Sequence, residues 1–370
     1  YIQSTAAKEE HILTATPMLG RRSTYAKFVQ SEGIPLIEGS YIEDLKTVEV
    51  QPWARRDVRG AYINHDASDI SNDCYVMEIP PGKESAPQHQ MFEEMIYVLQ
   101  GRGATTVWTE GGKKHHFEWG PGALFGIPLN AWHQHFNASG SENVRYLGVT
   151  SAPVSINTFA SWDFVFNCDY KFTDRFTGED DYFSGKGTQT GMVWETNFVA
   201  NVPDYALLDY KARGAGGRNI KFTLCKNQMG AHVSEFPVGT YKKGHRHGPG
   251  AHVVVIGGEG YSLMWKQGEE IKKYDWHVGS LVIPPDRTFH QHFNVGASPA
   301  RYLALRFSGN TEMLTYDPNN LPMGQRSVSV GGDQFEYDEQ DPYIHKTFVE
   351  ECAKHGVEVK MKEFLPAGVA

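Results

Sequence analysis

Apolar positions along this chain come in short runs rather than in helical stripes. MIYVL (95–99), ATTVW (104–108), GALFGIP (122–128) and RYLGVT (145–150) are rich in β-branched and aromatic residues. Gly, Pro or Asn interrupts such runs roughly every eight to twelve residues, the punctuation of strands joined by tight turns. This predicts an all-β sandwich or barrel rather than βαβ units. Helical patterning is confined to the edges. One stretch is STYAKFVQSEG near residue 25. The clearer one is DPYIHKTFVEECAKHGVE (341–358), with Asp341 as N-cap, Pro342 in the first turn and Gly356 as a stop.

The strand pattern occurs twice. Shifted by 157 positions, residues 78–137 align without a gap on 235–294, and 17 of the 60 pairs are identical. The matches include Gly82/Gly239, Gly101/Gly258, Trp108/Trp265, Trp119/Trp276, Gly122/Gly279, Pro128/Pro285 and His133/His290. A duplicated module is expected. Residues 1–72 form an arm with leading strands, and 73–152 the first barrel. Residues 153–229 link the modules and carry leading strands of the second barrel, which spans 230–308. The tail, 309–370, carries the helix. A faint echo between the stretches after Asp44 and Asp204 suggests that each module owns its leading strands.

Composition narrows the function. Hydrophobic residues make up 40% of the 370, enough for a real core. The net charge of −9 and the lack of a basic tract argue against a nucleic-acid partner. No apolar run reaches membrane-spanning length, and the N-terminus shows no signal-peptide pattern. The single, scattered Cys74, Cys168, Cys225 and Cys352 suit a reduced, cytoplasmic setting.

GHRHGPGAHVVVIGGEG (244–260) is the segment with chemistry. Residues i and i+2 of a strand share a face, so His245 and His247 can converge. Imidazole donors suit Fe(II), Zn(II), Ni(II) or Cu(II). In the first module Gln88 and Gln90 stand at those positions, and neutral amides are weak ligands, so that module is expected to be metal-free. Glu94 of the first module becomes Ala251 in the second. Alternation turns Ala251, Val253 and Val255 inward and His252 outward, unless a bulge at Gly248–Gly250 makes His252 a ligand.

These residues resemble the cupin superfamily, specifically its two-barrel members. The second module carries Gly239, His245, His247 and Gly258, then Gly279, Pro285, His290 and Asn294, at the spacing of the two cupin motifs. The first carries Gly82, Glu94 and Gly101, then Gly122, Pro128, His133 and Asn137. The resemblance implies two tandem double-stranded β-helix (jelly-roll) barrels with helical N- and C-terminal extensions, and brings His290 beside His245 and His247. HRHGPGA and HQH (290–292) are similar to the motifs of gentisate- and hydroxynaphthoate-type ring-cleaving dioxygenases, which hold Fe(II) with three histidines and no carboxylate. In that family the metal usually sits in the first barrel; here it would sit in the second.

The resemblance implies an enzyme: a non-haem Fe(II) dioxygenase acting on an aromatic or enolic hydroxy acid, with Mn, Ni or Zn as other metals. A redox-silent decarboxylase, lyase or isomerase, or a small-molecule-binding cupin, are the alternatives. The expected partner is a small carboxylate. Arg246, Arg287, Arg301 and Arg306 are candidates to pair with it, Arg287 first because it stands beside the His290 turn, and His292 is a candidate substrate contact. Apolar walls are expected from Val253, Val255, Leu281, Ile283 and Phe293. Tyr25, Phe28, Phe348 and Val349, in the arms outside both barrels, need a surface to bury against, which predicts a homo-oligomer.

Overall fold

The computed structural model describes residues 24–64, 71–248, 250–307 and 322–366. The short apolar runs form strands in two barrels of one design. In the first, Val58–Asn64, Asp73–Ile79, Val144–Thr150, Glu94–Gln100 and Leu124–Ile127 are successive neighbours in a large sheet. A three-stranded sheet of Trp132–Asn137, Gly103–Trp108 and His115–Trp119 completes it. The second repeats the order with Arg218–Leu224, Met229–Phe236, Ala300–Phe307, His252–Gly257 and Leu281–Val282, completed by Lys272–Trp276, Gly260–Trp265 and Phe289–Asn294. The expected all-β pair of barrels is observed.

Both faces of each large sheet are buried. In Asp73–Ile79, Cys74 and Val76 join a core cluster that also contains Phe222, Val233, Leu281, Ile283, Leu303 and Leu305 of the second barrel. Tyr75, Met77 and Ile79 face the first barrel's own interior. The strands therefore read as nearly continuous apolar runs, because one face fills a barrel and the other glues the barrels together. Each fully buried aliphatic side chain contributes about 1.5–3 kcal/mol.

Most leading strands stay with their own module, Leu36–Glu38 and Gln51–Trp53 pairing with Val58–Asn64, and Val193–Thr196 and Leu208–Asp209 with Arg218–Leu224, but one on each side is exchanged. Tyr41–Ile42, ahead of the first module, pairs with Leu281–Val282 of the second. Phe198–Val199, ahead of the second, pairs with Leu124 and Phe125 of the first. The swap obeys the 157-residue offset. Leu45 N–H donates to Gly279 (2.9 Å) as Val202 N–H does to Gly122 (2.9 Å). Two short helices, Ala152–Phe159 and Trp162–Asn167, open the segment between the modules.

The terminal helices lie where the patterning puts them. Pro342–His355 is capped by Asp341, whose carboxylate accepts from Tyr343 N–H (2.9 Å), and ends at Gly356 with φ 67°. Its Phe348 packs on the second barrel with Tyr241 and Phe293. Thr24–Ser31 buries Tyr25 and Phe28 on the first barrel. Tyr25, Phe28 and Phe348 thus find their surface within the chain, so they no longer argue for an oligomer. Val349 stays exposed, and residues 1–23 and 309–321 lie outside the described residues. No helix among the described residues is long and apolar enough to cross a membrane.

Candidate metal centre

The extended stretch ahead of His252 runs antiparallel to Phe289–Asn294. His245 and His290 face each other directly, exchanging backbone hydrogen bonds of 3.0 and 2.8 Å. Their rings are 4.3 Å apart, and His247 brings a third ring to 4.9 Å from His290. One nitrogen from each of the three lies within 4.8 Å of the others.

The donor set fits a transition-metal ion. His245 Nδ1 meets the Lys243 carbonyl at 3.1 Å and His290 Nδ1 meets the Thr288 carbonyl at 3.1 Å. A carbonyl only accepts, so both Nδ1 atoms carry the hydrogen and each Nε2 lone pair is left for a ligand bond. Burial pushes His245 and His247 well below the usual imidazole pKa, with positive neighbours adding to the effect, and pushes His290 down to about 4. All three are neutral at pH 7, the form that binds metal.

Around them lies a cavity of about 90 Å³. Arg213, Lys221, His232, Ser234, Tyr302 and Arg306 line it with the three histidines, His292, Ala251 and Val253. His292 Nδ1 bonds the Ser262 hydroxyl (2.7 Å), and the Trp276 indole donates to the same oxygen (3.0 Å). That anchor fixes the His292 ring on the wall.

Several expectations need correcting. Arg287 does not line the cavity. Its guanidinium holds Asp333 through contacts of 2.6 and 2.9 Å, and its side chain is 51% exposed. Arg246 binds the same carboxylate at 2.8 Å, and Arg301 pairs with Glu235 at 2.9 Å. Of the four arginines considered, only Arg306 reaches the site. The expected apolar walls are also largely absent. Val253 lines the cavity, but Leu281 and Ile283 face the inter-barrel core and Phe293 packs under the C-terminal helix. His252 faces the barrel interface, where its Nδ1 bonds the Asn72 amide at 2.9 Å. It groups there with Asp73 and Cys74, and the Asp73 carboxylate already accepts from Tyr25, Asn64 and the Cys74 N–H.

Arg213, His232 and Tyr302 escaped the sequence reading. The repeat itself held the signal: the same 157-residue offset pairs Arg213 with Arg56 and His232 with Tyr75, upstream of the aligned segment.

In the first barrel the corresponding space is filled. Arg56, 1% exposed, lies 4.7 and 4.6 Å from the ring centres of Trp53 and Tyr75. It donates to the Tyr75 hydroxyl (3.0 Å) and stands 3.5 Å from Glu94. Glu94 also accepts from Tyr75 and from Gln90 (2.8 Å). Burial alone would raise the Glu94 pKa, but Arg56, His133 and these hydrogen bonds together hold it below the usual value. Tyr75 lies so close to Gly148 that a Cβ there would sit 2.2 Å from the ring.

Comparison with a known domain family agrees with this architecture. Residues 75–150 match the cupin domain family. A segment of 73 residues, 20% of this chain, is 34% identical to part of the 5-aminosalicylate 1,2-dioxygenase of a Comamonas species; the match spans 18% of that protein. Solved structures with similarity include a Bacillus subtilis oxalate decarboxylase mutant (TM-score 0.48, 10% identity, 74% of this chain and 78% of that one). The Lactobacillus farciminis oxalate decarboxylase formate complex is another (TM-score 0.48, 11% identity, 74% and 87%). The matched cupin domain lies in the first barrel and the second barrel repeats its strand order, so the fold is that of a two-barrel cupin.

Proposed function

We propose that the second barrel is the active site of a metal-dependent dioxygenase, with Fe(II) held by His245, His247 and His290. The observation that carries this reading is the neutral donor set: Ala251 stands where the first barrel has Glu94, and no carboxylate lines the cavity among the described residues. When bound, the ion supplies Lewis acidity and one-electron redox chemistry, with its full charge available to draw in an anionic, chelating substrate. Arg306 and Arg213 bind the substrate's carboxylate, and His292, fixed by Ser262, orients a second oxygen. The name of the Comamonas relative points the same way. The small polar cavity favours an enolic or keto acid over a bulky ring.

The same polar lining supports a second reading, redox-silent decarboxylation, because Tyr302 and Ser234 offer hydroxyls for proton transfer within the cavity. An oxygen electrode separates the two. Fe(II)-loaded protein with β-dicarbonyls, keto acids and hydroxybenzoates should consume O₂ without added reductant. Anaerobic release of CO₂ by the Mn- or Zn-loaded protein, with no O₂ uptake by the iron form, would instead establish the decarboxylase.

A further inference from the structure

Two side-chain oxygens on the wall of the metal cavity have no hydrogen to accept. Asn219, 5% exposed, and Gln325 both line the cavity. Asn219 Oδ1 and Gln325 Oε1 are each buried, and neither has a hydrogen-bond partner among the described residues. Neighbouring donors are committed elsewhere. Across the strand pair from Asn219 stands Ser234, whose hydroxyl donates to the Arg218 carbonyl (3.5 Å). Beside Gln325, the Arg213 guanidinium donates to the Gly324 carbonyl and to Gln334 Oε1 (2.8 Å), which holds the turn Met323–Gln325 against the barrel.

The first barrel has no acceptor where Asn219 stands. Met77, 157 residues ahead of Ser234, pairs with Gly60. Trp53 packs so closely there that a Cβ on Gly60 would lie 2.5 Å from the indole. One barrel covers bare backbone with a ring, and the other turns an amide towards its cavity. A buried acceptor left without a donor costs about 1–3 kcal/mol, and most buried polar groups in folded proteins are paired. Two such oxygens beside a set of metal ligands fit a ligand that brings its own donors, and discriminate against one that lacks them.

We propose that Asn219 and Gln325 set the specificity of the second barrel, selecting a small hydroxylated acid whose O–H groups donate to them. The inference rests on the proposed placement of the substrate over His245, His247 and His290, not on the oxygen chemistry. An acid with a methyl in place of a hydroxyl fills the same volume and leaves an amide oxygen buried and unpaired.

The test reads binding, without turnover or O₂. Full-length protein as purified, kept under argon, is titrated calorimetrically with glycerate and with 2-hydroxybutyrate of the same configuration. The second acid keeps the α-hydroxy carboxylate and replaces the other hydroxyl by a methyl. Glycerate should bind at least about fivefold more tightly. Gln325→Met and Asn219→Leu keep the bulk of each side chain and remove the acceptor. Compared at equal metal content, at least one of them should cut the ratio of affinities by about threefold or more. A purely structural role would weaken both acids alike and leave the ratio unchanged. Equal affinity for the two acids in the unaltered protein overturns the proposal, since the amide oxygens then take water rather than a ligand's donor. So does a preference that survives unchanged in both variants, and so does a failure of glycerate to bind. If one variant loses its fold, the other and the unaltered protein decide. If the glycerate preference holds while O₂ uptake fails, the two specificity residues stand and the oxygenase reading falls.

Discussion

The strand pairing that sets His245 against His290 in the second barrel sets Gln88 against His133 in the first, with paired backbone hydrogen bonds of 2.8–3.0 Å in each. His133 even keeps the tautomer of its counterpart, its Nδ1 meeting the Ala131 carbonyl at 3.2 Å. The frames are alike and the contents are not. In one, Arg56, Glu94 and Tyr75 neutralise and fill the interior. In the other, Arg213, Ala251 and His232 take those positions and leave a cavity beside three imidazoles. A barrel of this kind becomes a stable core when its buried charges meet each other, as Arg56 and Glu94 do.

The largest contrast is in metal content. About one equivalent per chain is expected, all of it lost in His245→Ala/His247→Ala, as elemental analysis of anaerobically purified protein would show. Introducing Gln88→His and Gln90→His should not create a second site while Arg56 remains, since a cation already stands beside Glu94. A second equivalent in that variant would break the comparison.

Stability comes next. Arg56→Met leaves Glu94 buried without its cation, a loss of about 3–5 kcal/mol. Arg213→Met removes hydrogen bonds to neutral groups only and should cost about 1–2 kcal/mol. Urea unfolding followed by fluorescence gives both numbers, and equal losses would mean that the two arginines do the same work.

The duplication, the short strands, the pair His245 and His247 and the capped C-terminal helix were legible in spacing and local pattern, whereas the barrels and the third histidine, His290, came with the cupin resemblance. The strand exchange was not, since two-residue strands such as Tyr41–Ile42 carry little pattern and pair across more than half the chain. Leu281 and Ile283 misled because a sheet buried on both faces gives apolar residues two destinations. Arg287 misled because its partner, Asp333, lies in the tail beyond the duplicated modules, where no repeat could announce it. Arg213 could have been read by extending the register to Arg56.

A smaller effect appears with pH. Burial pushes His133 down to about 4, so between its ordinary 6.5 and that value the unfolded chain takes up a proton that the folded barrel refuses. Stability therefore falls as pH drops through this window, by about 2 kcal/mol between pH 7 and 5 from this group alone. Glu94, held below the usual carboxylate range, adds to the loss in more acid solution, as pH falls through its lowered value. His133→Gln should flatten the pH dependence of the urea midpoint between pH 7 and 5 relative to the unaltered protein. An unchanged slope would show that His133 is not the group refusing the proton.

The smallest effect is expected at Arg287, and it discriminates between an arginine outside the cavity and one that lines it. Arg287 has φ 59° and replaces Asn130, which has φ 58° in the first barrel, so the turn beside the motif histidine is conserved in shape while its side chain changes. Half exposed and bound to Asp333, it shares that carboxylate with Arg246, which remains when Arg287 is removed. With Arg246 left to neutralise the buried Asp333, losing the half-exposed Arg287 should cost about 1 kcal/mol, and Arg287→Asn retains a residue that tolerates the turn. Unfolding free energy and glycerate affinity should therefore change little in Arg287→Asn, whereas Arg306→Gln, inside the cavity, should weaken glycerate binding by about tenfold or more. If the order is reversed, the substrate enters over Asp333 and the turn at Arg287, and the cavity wall formed by Arg306 is not its seat.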